Sequence, residues 1–331
     1  MQPITILGAG SWGTALSILM ARNGHKVRLW GRDKYMRDLQ QLRYNKQYLP
    51  DIVLPDSIQI ELDFNIAVEQ AEDILIAVPS AAFRSILNDI YAIKSKGLRI
   101  AWATKGLDEK RNQLLHEVVF EIFDKNMPIA IVAGPSFAKE VAVGLPTAIT
   151  LTSNDQPFEQ RLTALLHGYH FRVYSQPDLI GVQICGAVKN CLAVATGISD
   201  GLGYGANARS ALITRGLAEM TRLGLAMGGQ QETFMGLAGI GDLILTCTDN
   251  QSRNRRFGFA VGQGVGLDEA EKSVGQVVEG RRNAFNVSAL ADQYQTDMPI
   301  VEQVCRVLTS AITPYESVEQ LFARQPKPES L

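Results

Sequence analysis

Cysteine and histidine are scarce in this chain, at four each in 331 residues, and their placement narrows the possibilities further than their number does. Cys185, Cys191, Cys247 and Cys305 form no CxxC pair, and three of them sit inside apolar runs, the setting of reduced, buried thiols. A cytoplasmic protein fits that reading. His167 and His170 have the spacing of a ligand pair, but no neighbouring cysteine and no HExxH pattern completes a centre. Surface or core histidines are the better account, and no metal site is expected. A one-signed charge is absent too: Lys plus Arg numbers 32 against 34 for Asp plus Glu, which leaves no global field for nucleic acid and confines any anion site to local groups. No uninterrupted apolar run approaches the ~18 residues of a membrane helix. The N-terminus enters a strand pattern at Ile4 without the basic flank and cleavage site of a signal, so neither membrane insertion nor secretion is expected. Internal repeats, low-complexity tracts and charge blocks are missing as well.

What is present is a chain long enough for two domains at roughly 150 residues each. "ITILGAG" is a buried-strand run ending in glycines, "SWGTALSILMARNGH" has helical spacing, and "KVRLW" is a second strand, together a βαβ unit. Further strand runs follow at "IQIEL", "DILIAVP", "LRIAWATKG", "IAIVAGPS", "AITLTS" and "FRVYS". The spacers between most of them are long enough for helices, which predicts an open, mostly parallel, doubly wound sheet of Rossmann type. Pro177-Asp178 punctuates the chain, and beyond it "ALITRGLAEMTRLGLAMG" and "NAFNVSALADQYQ" have helical periodicity without strand patterns. The expected domains are therefore 1–178, α/β, and 179–331, all-helical, ending in a polar tail "RQPKPESL" with the composition of disorder.

Gly8, Gly10 and Gly13 form GxGxxG between the first strand and first helix, the context that gives this pattern meaning. The first glycine permits the tight turn, the second lets backbone approach a pyrophosphate, and the third allows close helix-to-strand packing. The N–H groups at the start of that helix would hold the pyrophosphate against Ser11 and Trp12; the competing reading is a tight structural turn. At the end of the second strand Arg32 and Asp33 stand side by side, so a ribose hydroxyl and a 2′-phosphate are both accommodated. NADP is favoured over NAD, because Arg32 comes first and no acid at Gly31 repels a phosphate. A surface salt bridge is the alternative for both residues.

The segment "VQICGAVKNCLAVATGI", 182–198, is apolar nearly all round, with Gln183, Lys189 and Asn190 as exceptions. A buried ammonium without a partner costs several kcal/mol; either a functional pocket compensates it, or Lys189 snorkels to solvent and Asn190 caps a neighbouring loop. Gly186 and Ala193 make the face around Lys189 small-sided, with room for a ligand. Ligands of open α/β sheets bind outside the carboxyl ends of the strands, where Lys105 and the turn Gly134-Pro135-Ser136, leading to Ala138, are expected. Farther on, "GLAGIGDLILTCTDNQSRNRRFG" concentrates Asp242, Thr246, Ser252, Arg253 and Asn254. Arg253 with Asn254 could clamp a phosphate and Asp242 could orient a lysine or hydroxyl, whereas three arginines in four residues also suit a solvated face.

Taken in order, "GAGSWGTAL", "ATKGL", "AGPSFAKEV", "GAVKN", "GLAGIGDLILTC", "SRNRRFG" and the "VVEG" at 277–280 resemble the NAD(P)-dependent glycerol-3-phosphate dehydrogenases of the bacterial type. The resemblance implies a Rossmann domain, a helical substrate domain, and reversible reduction of dihydroxyacetone phosphate to sn-glycerol 3-phosphate for phospholipid synthesis by a homodimer. It implies cofactor contacts from Ser11, Trp12, Arg32, Lys105, Ala138, Arg253, Val277 and Glu279. Lys105, Gly134, Ser136, Lys189, Asp242, Ser252, Arg253 and Asn254 match substrate positions, and Lys189 matches the proton acceptor in the oxidation direction. Lys105 and the apolar helix would lower the Lys189 pKa while Asp242 opposes them. The rival readings are another two-domain reductase, such as a β-hydroxyacid dehydrogenase, and a non-catalytic NAD(P)H sensor.

Overall fold

The computed structural model describes residues 2–32, 35–326 and 328. It divides into two compact units, Met1–Thr104 with Leu115–Leu179, and Lys105–Leu114 with Ile180–Leu331. The sequence places a single boundary after residue 178; in the structure the short segment Lys105–Leu114 groups with the second unit instead. Leu107 and Leu114 account for it, because both side chains are buried in the core of that unit. Asp33 and four residues of the polar tail, Lys327 and 329–331, lie outside the described residues.

The first unit is built on strands β1 (Ile4–Leu7), β2 (Val27–Trp30), β3 (Tyr44–Asn45), β4 (Leu49–Val53), β5 (Ile58–Glu61), β6 (Asp73–Ile76), β7 (Arg99–Trp102), β8 (Ile129–Ala133), β9 (Thr147–Ser153) and β10 (Phe171–Ser175). Eight form one sheet in the order β10-β9-β8-β7-β6-β1-β2-β5, and these are the eight strands expected from the sequence. All neighbours are parallel except β8 and β9. β1, β2 and β6 are buried throughout, as strands covered on both faces of a parallel sheet are, with the charged Arg28 and Asp73 buried among their apolar residues. Between strands run α1 (Ser11–Arg22), α2 (Tyr35–Leu42), α3 (Phe64–Glu69), α4 (Ser80–Ile93), α5 (Leu115–Ile122), α6 (Ala138–Val143) and α7 (Gln156–Leu166). The strand order reverses at β1, so right-handed crossovers wind in both directions and leave a ligand crevice at the carboxyl end of β1 and β6.

The hairpin β3–β4 has no counterpart in the sequence reading. It buttresses the glycine turn: Asn45 Nδ2 donates to Ala9 O at 2.9 Å and to Thr14 Oγ1 at 2.8 Å.

The second unit contains α8 (Leu179–Gly201), α9 (Ala206–Ala226), α10 (Gln231–Phe234), a π-turn Leu237–Gly241, α11 (Asp242–Thr248), α12 (Arg253–Gly262), α13 (Leu267–Val274), α14 (Glu279–Gln293), α15 (Pro299–Leu308) and α16 (Pro314–Phe322). By length and composition alone α8 could cross a membrane, but 89% of its most apolar stretch is buried inside the protein, in keeping with the expectation of no membrane insertion. It is the central core helix of the unit. Its close partner is α12: a Cβ on Gly197 or Gly201 would lie 2.2 Å from Arg255 O or Phe259 O, and one on Gly258 would lie 2.2 Å from Val194 O. Helix backbones touch there, which only the missing side chains permit. Gly258→Ala should therefore destabilise the protein by about 2–3 kcal/mol through overpacking, seen as a lowered midpoint in urea; an unchanged midpoint would contradict the close approach.

Glu219 of α9, 2% exposed, reaches the start of α15 and accepts from Ile300 N at 2.8 Å and Val301 N at 3.3 Å. Burial raises its pKa from 4.5 to about 7, against the two backbone donors and Arg222. The unfolded chain then binds fewer protons than the folded one between these values, so this carboxyl's contribution is complete below about pH 4.5 and is lost as pH rises through about 7. Urea melts across this window should fall in stability with a slope that Glu219→Gln flattens, and an identical slope in the variant would rule the assignment out.

Candidate active site

The buried lysine of α8 does not snorkel. Lys189 is 6% exposed, and Asn190 beside it 3%. Lys189 Nζ donates to Asp242 Oδ1 at 2.9 Å and to Thr246 Oγ1 at 2.8 Å. Lys105 Nζ donates to the other carboxylate oxygen, Asp242 Oδ2, at 2.7 Å. One carboxylate thus joins two ammonium groups. Thr246 in turn donates to its own helix at Asp242 O, 2.6 Å away, which directs an oxygen lone pair at Lys189. The helix carrying Asp242 begins immediately after the π-turn, a distortion that often marks functional sites. Gly239 sits in that turn, where a Cβ would be 2.1 Å from Phe234 O.

The electrostatics follow from burial. Desolvation lowers the Lys189 pKa most, Asp242 raises it and Lys105 lowers it again, for a net value of about 8 instead of 10.5. For Asp242 desolvation pushes upward, but the two ammonium groups and their hydrogen bonds outweigh it and the carboxyl stays below its ordinary range. Two of the three Lys189 donors are engaged among the described residues. An amine that sheds its proton near neutral pH and keeps one donor for a ligand can act as a general acid or base. The space expected at Gly186 is filled from within the protein: a Cβ there would lie 3.6 Å from Lys105 Cβ, so the bare helix face receives Lys105.

Asn190 Oδ1 accepts from Asn254 Nδ2 at 2.9 Å, and Asn254 Oδ1 accepts from Gly280 N at 2.9 Å. Asn190 Nδ2 is buried with no hydrogen-bond partner among the described residues, which leaves a donor for a ligand oxygen. Ser252 caps α12 by accepting from Arg255 N. The three arginines divide: Arg255 is buried and donates to Asp200 Oδ2 at 2.6 Å, Arg253 is half-buried, and Arg256 is exposed.

In the first unit the glycine turn fits a dinucleotide. Gly8 has φ +121°, a Cβ on Gly13 would lie 1.9 Å from Gly8 O, and one on Gly10 would meet nothing within 4 Å. The second glycine therefore faces open space, and no side chain caps α1, which leaves its first N–H groups for phosphate oxygens. Trp12 Nε1 is buried without a partner among the described residues. At the end of β8, Gly134 has φ +116° and Ser136 Oγ donates to Gly134 O at 3.0 Å, with Ala138 opening α6. Arg32 is exposed just after β2.

Two family models cover nearly all of the chain: the N-terminus of NAD-dependent glycerol-3-phosphate dehydrogenase matches residues 3–159, and its C-terminus matches 178–319. The chain belongs to this family. A Yersinia pestis protein named glycerol-3-phosphate dehydrogenase (NAD(P)+) is 52% identical over 330 residues, 99% of this chain and 97% of the relative. The crystal structure of glycerol-3-phosphate dehydrogenase from Coxiella burnetii superposes with a TM-score of 0.95 at 50% identity, covering 98% of this chain and 99% of that one. D-mandelate dehydrogenase in complex with NADH reaches a TM-score of 0.62 at 13% identity over 97% of this chain and 100% of its own, a likeness of fold alone. The oxidoreductase class and the NAD(P) cofactor are those of the family.

Of the site residues expected from the sequence, Lys105, Lys189, Asn190, Asp242, Thr246, Ser252, Arg253, Asn254 and Glu279 belong to the second unit, and Gly8, Gly10, Ser11, Trp12, Gly13, Arg32, Gly134, Ser136 and Ala138 to the first; hydrogen bonds join Lys105, Lys189, Asp242 and Thr246 in one cluster and Asn190 with Asn254 in another. Val277 is 44% exposed on the turn before α14. The Asn254 side chain, expected on a phosphate, is 8% exposed and engaged by Asn190 and Gly280. Gly280 enters the sequence reading only as the last residue of the "VVEG" motif, with no role of its own, yet a Cβ there would lie 2.5 Å from Asn190 O. Asp242→Asn removes the counter-charge while Lys189 stays buried, so the Lys189 pKa should fall well below about 8 and stability by about 3–5 kcal/mol. NMR titration of the lysine Cε and urea melts read both, and a Lys189 that still titrates at its former value would contradict the pairing.

Proposed function

We propose that the protein reduces dihydroxyacetone phosphate to sn-glycerol 3-phosphate, reversibly, in the cytoplasm, for glycerophospholipid synthesis. The observation that carries the reading is the Lys105–Asp242–Lys189 cluster in a chain of this family. A bound reduced nicotinamide supplies hydride to the ketone carbon. Lys189 gives its proton to the ketone oxygen as negative charge develops there, and Lys105 adds a second positive charge to the same region. In the oxidation direction the neutral Lys189 amine takes the proton from the substrate hydroxyl. Asp242 and Thr246 fix the Nζ position, and Asn190 Nδ2 offers its unused N–H to a substrate oxygen.

The substrate phosphate is assigned to the start of α12, through the Arg253 guanidinium and the backbone N–H groups of Arg253 and Asn254 that precede the helical ladder. Binding energy gained there, remote from the carbonyl, aligns the ketone. Ser11, Trp12, Ala138, Val277 and Glu279 are assigned to the dinucleotide, Gly134 and Ser136 to the substrate, and Arg32 favours NADPH. A homodimer is the expected assembly.

Absorbance at 340 nm with dihydroxyacetone phosphate, using NADPH and NADH in parallel, should show oxidation that depends on the ketone phosphate, faster with NADPH. Lys189→Ala should lower kcat by roughly 10²-fold or more, and Arg253→Ala should chiefly raise the KM for the ketone phosphate. Turnover of a non-phosphorylated keto acid in its place, or tight cofactor binding without turnover, would replace this reading with one of its rivals.

A further inference from the structure

Lys105 stands one residue beyond the first unit, at the start of the strap Lys105–Leu114 that packs with the second. The strap closes on itself: Asp108 N donates to Gln113 O at 2.9 Å, Asn112 N donates to Asp108 O at 2.9 Å, and Asp108 Oδ2 accepts from Arg111 N at 3.2 Å. Its flanks are Leu107 and Leu114, 0% and 2% exposed, in the helical core. Its tip is Asn112, a non-glycine residue held at φ 53°. Across 174 residues of sequence, Asn286 Nδ2 of α14 donates to Asn112 Oδ1 at 2.5 Å. Arg282, one turn earlier on the same helix, pairs with Glu109 at 3.6 Å, but both partners are too exposed for that contact to hold the strap. The contact from Asn286, itself 7% exposed, is a polar anchor at the tip of the strap.

We infer that Asn286 and Asn112 are positioning residues, which hold the strap on α14 so that the Lys105 ammonium stays on Asp242. The inference rests on the proposed function of Lys189 and deepens it. α14 is suited to the task, since Gly280 in its first turn also holds Asn254, and through it Asn190. One helix therefore sets both the amide beside Lys189 and the ammonium opposite it.

The consequence is a signature that a loss of stability would not mimic. The titratable groups that bear on Lys189 are Asp242 and Cys247 of α11 and Lys105 of the strap. Withdrawing Lys105 removes a like charge from Lys189 and leaves Asp242 to Lys189 alone, and both changes favour the protonated lysine.

The test uses the full chain with sn-glycerol 3-phosphate and NADP, measuring kcat/KM against pH for wild type, Asn286→Leu, Asn112→Gly and Asn286→Asp. Glycine adopts a positive φ without cost, so Asn112→Gly removes the contact with little strain on the fold. Asn286→Asp keeps an acceptor that the rotated Asn112 amide can meet. Asn286→Leu and Asn112→Gly should lower kcat by ~10- to 100-fold and move the acidic limb of the profile to higher pH, while Asn286→Asp returns the limb towards wild type. Folded variants with a limb at the wild-type position, or an equal shift in all three, would overturn the inference. An inactive wild type would instead overturn the functional reading beneath it.

Discussion

Asp242 holds two ammonium groups, Lys105 on one carboxylate oxygen and Lys189 on the other, and Lys189 is one that burial alone would drive towards neutrality. Removing an ion from water costs several kcal/mol, which the attraction to a single counter-ion offsets only when geometry and hydrogen bonding are good. Here both carboxylate oxygens are used, one for each lysine, and Thr246 completes the shell on the Lys189 side. The balance is deliberately incomplete for Lys189. One negative charge shared by two positive ones leaves the deeper lysine under-compensated, and its pKa settles near 8, in the range where a proton can move in either direction.

The packing around this cluster serves to keep that balance fixed. α8 carries Lys189 and Asn190, and its backbone contact with α12 fixes the register that sets Asn254 against Asn190. Gly280 of α14 lies against the same turn of α8 because it has no side chain to hold it away. Arg255 locks the α12 start from the other side, bonded to Asp200 at the end of α8. Residues with no reactive role therefore hold three helices close enough for side chains as short as asparagine to bridge them.

Some of this is legible in the sequence and some is not, for physical reasons. The eight sheet strands can be read because the buried central ones are mostly apolar, as in "ITIL" and "DILI", and the edge strand "IQIE" alternates, and the glycine turn because its backbone geometry admits so few residues. Lys189 can be read because charge is costly in an apolar helix. The hairpin β3–β4 cannot, since Tyr44–Asn45 and the proline-containing Leu49–Val53 have neither a run nor an alternation. The membership of Lys105–Leu114 in the helical unit depends on where Leu107 and Leu114 are buried, which local pattern does not carry. Nor does pattern reveal that Asn254 spends its side chain on Asn190. The spacing of Gly197 with Gly201 and of Gly258 with Gly262 is visible as two four-residue steps, but its meaning needs the knowledge that the two helices meet.

The composition of α8 also bears on how the chain is made. Apart from Leu107 and Leu114, the residues of the core that encloses this helix lie after it in the sequence, out to Leu308. During synthesis a 23-residue segment with the hydropathy of a membrane span emerges before its covering helices exist. Lys189 lies at its middle, and a lysine at the centre of an apolar helix disfavours insertion into a bilayer by about 2.5–3.5 kcal/mol. The ammonium suited to moving a proton in the folded protein thus weighs against loss of the nascent chain to a membrane.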